Sequence, residues 1–168
     1  MRPNTIVFSC LVAAIATGCA PSPTAELEAN KELVRQFTEV TNAAEWEALG
    51  EIVSDDFTRH SQATEGRPVK SREEFVQLQQ TFLSSFPDQR VTTHKLIAEG
   101  DMVAALATYS ATMTGPMGAF PATGKSADLT FLAIFRIEDG QIAELWVEWD
   151  NVAMLSQLGL FPPPSPGS

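Results

Sequence analysis

The chain has 168 residues, 44% of them hydrophobic, and carries 21 acidic against 11 basic side chains for a formal charge of −10. That length suffices for one domain with a sizeable core, and that charge disfavours nucleic acid and anionic lipid headgroups as partners. Two histidines and two cysteines leave no readable metal-ligand cluster, and neither a phosphate-binding glycine loop nor an internal repeat is present.

In chain order, one basic residue, Arg2, precedes an apolar run over residues 6–16. A permanent bilayer span needs about twenty apolar residues, so this shorter run reads as a secretory signal. It ends in Ala16-Thr17-Gly18-Cys19, which resembles the lipobox of bacterial lipoproteins. The resemblance implies cleavage before Cys19, a diacylglyceryl anchor on it, and location in the bacterial cell envelope on the extracytoplasmic side. The expected division is a signal peptide over 1–18, a lipidated tether over 19–24, a domain over 25–160 and a Pro-rich tail over 161–168. Cys10 leaves with the signal and Cys19 is acylated, so no disulfide staples the domain.

A first helix is expected over residues 25–41, where Leu27, Leu33, Phe37 and Val40 recur at helical spacing. Asn42-Ala43-Ala44-Glu45 reads as a capping box opening a second helix with Trp46, Leu49 and Val53 inward. Residues 56–60 read as a short strand. Ser71-Arg72-Glu73-Glu74 is another capping box, and its helix carries Phe75, Leu78, Phe82 and Phe86 on one side. The period then changes to two. Residues 91–98 and 102–113 form one hairpin, and 129–137 with 141–149 form a second, closed by Asp139-Gly140. Asp150 opens a last short helix. Helices followed by a curling antiparallel sheet make an α+β fold whose concave side offers a cavity for a small ligand.

Several pieces occur in a telling order: Asp56-Phe57 with His60, Ala98-Glu99-Gly100-Asp101, Gly118 with Ala122-Thr123-Gly124-Lys125, Phe135-Arg136-Ile137, Glu144 with Trp146, Asp150, and Gln157-Leu158-Gly159. Together they resemble the SnoaL-like polyketide cyclase (ester cyclase) family of the nuclear-transport-factor-2-like superfamily. The resemblance implies a conical α+β barrel with a deep apolar pocket. It also implies cofactor-independent aldol-type ring closure with an aspartate at the place of Asp150. The chain departs from many relatives in having Met113 and Leu145 where they carry histidine.

Read residue by residue, a plain two-residue turn at Asp139-Gly140 sets Glu144, Trp146, Glu148 and Asp150 on one face with Phe131, Ala133 and Phe135. Carboxylates beside aromatic rings point to a cavity, where burial and like charge raise a carboxyl pKa toward acid/base work. The expected catalytic set is therefore Asp150 with His60 and Glu148 assisting. The expected pocket wall is Trp46, Phe82, Met113, Phe131, Phe135 and Trp146. Asp150 is equally well read as the N-cap of the last helix. The favoured function is a cofactor-independent enzyme (cyclase, lyase or isomerase) acting on a small apolar carbonyl compound, with no metal. The alternative is a non-catalytic lipoprotein binding a hydrophobic ligand in the same pocket. Partners expected are that small molecule, a membrane through the N-terminal lipid, and a second copy through the open sheet face.

Overall fold

The computed structural model describes residues 22–63 and 69–161. The signal, Cys19 and the residues after Phe161 lie outside the described residues. Helix α1 spans Pro23–Ala43. Ser22 accepts a hydrogen bond from Ala25 N at 3.2 Å, and Pro23 follows with its φ already suited to a first turn. The helix thus starts before residue 25 and also runs past Asn42, which does not open a second helix. Asn42 instead clamps the strand that begins at Arg90, donating to Val91 O and accepting from Val91 N, both at 2.8 Å. Ala44 stops α1 in a left-handed conformation, φ 56°. What remains of the expected second helix is one turn, α2, Leu49–Ile52, with no side-chain cap.

Strand β1 is Val53–His60, longer than the expected 56–60, and takes Val53 from the second helix. Helix α3, Arg72–Ser85, opens at the expected Ser71 cap: Ser71 Oγ accepts from Glu74 N at 3.1 Å, and Glu74 accepts in return from Lys70 N at 2.7 Å. Strands β2 (Arg90–Glu99), β3 (Met102–Thr112), β4 (Ser126–Glu138) and β5 (Gln141–Glu148) follow, and α4, Asn151–Gln157, closes the fold. The sheet order is β1-β5-β4-β3-β2, with β1 parallel to β5 and the other pairs antiparallel.

The turn between β4 and β5 has Asp139 at φ 51° and Gly140 at φ 77°, the positive angles a tight hairpin needs. Immediately beyond it the register shifts. Glu138 pairs with Gln141 and Ile137 with Ile142, but Arg136 pairs with Glu144, so Ala143 is an extra residue. A one-residue bulge exchanges the two faces of everything after it. Phe135 therefore lies opposite Leu145 and Ala133 opposite Val147, not opposite Glu144 and Trp146.

The core lies between α1, α3 and the concave sheet face. Phe37 stacks on Phe75 at 5.7 Å and meets Phe135 edge-on at 5.5 Å, while Phe57 meets Phe75 edge-on at 5.3 Å. Each ring buried in this way contributes about 1.5–3 kcal/mol. A second cluster, Phe86, Ala111, Met113, Ala127 and Leu158, joins the α3 end to the start of β4 and to α4.

Candidate functional site

Between the helices and the sheet lies a cavity of about 160 Å³. Phe37, Phe75 and Phe135 form its floor, and Ala105, Ala107 and Ala133, side chains too small to fill the space, form its sheet wall. Antiparallel pairing brings the ends of β3 and β5 beside the starts of β2 and β4, and β1, parallel to β5, finishes at that same end. There the lining turns polar. Tyr109, Arg90, Trp149 and Arg59 come from the strands and strand ends, and Thr41 and Asn42 from the last turn of α1. Arg90 is exposed and marks the mouth.

Arg59 is the buried charge of this site, 4% exposed. Its guanidinium sits over the Trp149 ring, 5.8 Å from the centroid. Burial pulls its pKa down to about 10, with Glu148 opposing, so it stays cationic at neutral pH. Burial also pushes the Tyr109 phenol well above its usual value, which keeps it protonated and donating to Gln89 Oε1 at 3.1 Å. Trp149 Nε1 and Thr41 Oγ1 are buried without a hydrogen-bond partner among the described residues. A buried polar atom left this way is costly unless something meets it. Among the described lining residues there is no aspartate, glutamate or histidine.

The sequence-derived residues divide accordingly. Phe82, Phe131 and Phe135 line the cavity. Trp46 packs on the edge of the main core, Met113 is fully buried in the second cluster, and neither borders the cavity. Trp146 lies on the convex face, stacked on His60 with ring centroids 4.9 Å apart and planes 9° apart. His60 is on that outer face because Phe57 and Arg59 alternate inward with it. Its Nε2 donates to Glu144 Oε2 at 2.9 Å, and Arg136 Nε donates to Glu144 Oε1 at 2.8 Å. These bonds, that from His60 first, hold the Glu144 carboxyl below its usual pKa.

Glu148 is exposed and accepts from Gln62 N at 2.7 Å and Ala63 N at 3.3 Å, pinning the chain after β1. Asp150 is exposed and accepts from Ala153 N at 2.9 Å as the N-cap of α4. The expected acid face is therefore corrected: the bulge at Ala143 sends Glu144, Trp146 and Glu148 outward, and Leu145, Val147 and Trp149 inward. The polar groups at the cavity are ones the sequence reading passed over: Arg59, Trp149, Tyr109 and Thr41. Period-two alternation from Phe57 was a sufficient signal for Arg59. For Trp149 the missing information was the bulge.

The sequence profile of the SnoaL-like polyketide cyclase family matches residues 31–158. Among solved structures, IdmH of Streptomyces antibioticus, a candidate polyketide cyclase, is 30% identical with a TM-score of 0.70, over 77% of this chain and 98% of that one. AclR of Streptomyces galilaeus, a candidate hydroxylase, is 26% identical with a TM-score of 0.70, over 81% of this chain and 99% of that one. A candidate SnoaL-like cyclase from Jannaschia sp. CCS1 reaches a TM-score of 0.74 at 22% identity, over 87% and 100%, a likeness of fold alone. No curated protein matches the chain.

Proposed function

The chain belongs to the SnoaL-like polyketide cyclase family, and from that premise we propose that its cone binds one small, largely apolar molecule with an oxygen function directed at the mouth. The lining carries this reading: an aromatic floor, an alanine wall, and at one end the Arg59 guanidinium, the Trp149 indole N–H and the Tyr109 hydroxyl oxygen. Concave, mostly apolar sites with a few convergent polar groups are what small ligands select. The test is to incubate the full-length protein with a cell-envelope metabolite extract, separate it by gel filtration and identify what co-elutes by mass spectrometry. Ala107→Phe fills the cavity at an overpacking cost of about 1–3 kcal/mol. A compound held by the parent and lost from this folded variant supports the reading; equal retention by both moves binding elsewhere.

A second reading, cofactor-independent cyclase-type chemistry, draws on the family and on Arg59, a buried cation able to stabilise a developing oxyanion. Its signature is a compound consumed by the parent and spared by Arg59→Gln. Sparing by Asp150→Asn instead would return the chemistry to Asp150, the aspartate that the family resemblance singles out. We also propose envelope attachment through lipid on Cys19, which rests on the Ala16-Thr17-Gly18-Cys19 segment. Intact mass of the membrane-extracted protein shows the diacylglyceryl group, or its absence ends that proposal.

A further inference from the structure

We infer that the ligand is a one-ring aromatic or alicyclic carboxylic acid, its ring on the Phe37–Phe75–Phe135 floor and its carboxylate at the Arg59 and Arg90 end. This rests on the reading that the cavity holds a small molecule. Size comes first: a closed apolar cavity of about 150 Å³ accommodates one benzene ring, and this one measures about 160 Å³.

Charge comes second. The protein carries −10 overall, with 21 acidic residues, yet the charged residues among the described lining are two arginines and no carboxylate. Such an inversion of sign between surface and cavity favours an anion over a neutral or cationic guest of the same shape. Burial strengthens the effect at Arg59, because a charge held away from water interacts through a lower effective dielectric. A guanidinium presents five N–H donors in a planar fork matched to a carboxylate, so protein partners and a ligand can share it. Trp149 Nε1, buried and without a hydrogen-bond partner among the described residues, lies on a ring that Arg59 covers. It supplies a neutral donor beside the cation. At the mouth Arg90 is exposed and adds attraction that salt screens, whereas the Arg59 contribution persists.

The experiment is isothermal titration of the full-length protein with 3-phenylpropionate and with its neutral amide, 3-phenylpropionamide, at pH 7. The expected result is a carboxylate affinity at least about tenfold above that of the amide, in line with hydrogen bonds to charged groups. Arg59→Gln should bring that ratio to about one while the amide binds as before, and Arg59→Lys should recover part of it. Arg90→Gln serves if Arg59→Gln fails to fold, and should lower the ratio together with its salt dependence. Equal affinity of acid and amide in the parent overturns the carboxylate inference and leaves the small-molecule reading standing. Binding of neither compound overturns both.

Discussion

Asp150 and Glu144 show how a single carboxylate's role is set by what its oxygens meet. Asp150 spends an oxygen on the Ala153 amide at the start of α4, so Asp150→Ala should cost about 1 kcal/mol, a fall of about 3 °C in Tm. Ligand retention should not change in that variant; a loss of binding with stability intact would instead tie Asp150 to the cavity. Glu144 has its pKa held below the ordinary 4.5 by hydrogen bonds from His60 and Arg136. A carboxyl with a depressed folded-state pKa contributes stability above its unfolded value, and that contribution disappears as pH falls through the folded value. Denaturant titrations between pH 7 and pH 3 should show a stability loss beginning near pH 4.5 that is shallower in Glu144→Gln. An identical acid limb in the variant would mean that this cluster adds nothing to stability.

At the scale of elements, the β4–β5 hairpin determines which side chains see the cavity. Its turn is local chemistry, but the extra residue Ala143 sets the faces. Deleting Ala143 should remove the bulge while leaving Glu144 opposite Arg136, Leu145 opposite Phe135 and Val147 opposite Ala133, so the side chains beyond it should keep their faces. The expected outcome is cooperative unfolding by circular dichroism with ligand retention kept; loss of cooperativity would show that the local twist of the bulge, and not only its register, seats the hairpin on the core. A second junction lies where the chain leaving β3 passes α3. Thr114 N and Gly115 N both donate to Ser85 O, at 3.1 and 3.0 Å. A Cβ on Gly115 would collide with the Ser84 carbonyl. Backbone cannot yield as a flexible side chain can, so Gly115→Ala should destabilise by about 1–3 kcal/mol in urea unfolding.

For the whole molecule, the outer surface is acidic while the cavity's charges are basic, and the two respond to pH separately. The sequence pI is about 4.5, so solubility should pass through a minimum near that pH as self-repulsion vanishes. Arg59 keeps its charge there, so a guest carboxylate is lost only as it protonates itself. Turbidity and ligand retention measured across pH 7 to 4 distinguish the two. Turbidity peaking near pH 7 would contradict the charge argument.

The sequence by itself determined the α+β layout, the Ser71 cap, both hairpin turns and the Asp150 cap, because each follows from neighbours a few residues apart. It also contained Arg59, two positions from Phe57 on a strand whose alternation points both inward. What only the tertiary structure decided was the face presented by Glu144, Trp146 and Glu148, and the continuation of α1 through Asn42. A bulge depends on how two strands settle against a core, and Asn42 found its partner in Val91, 49 residues away. Those choices are made by packing between distant segments, where spacing along the chain carries no signal.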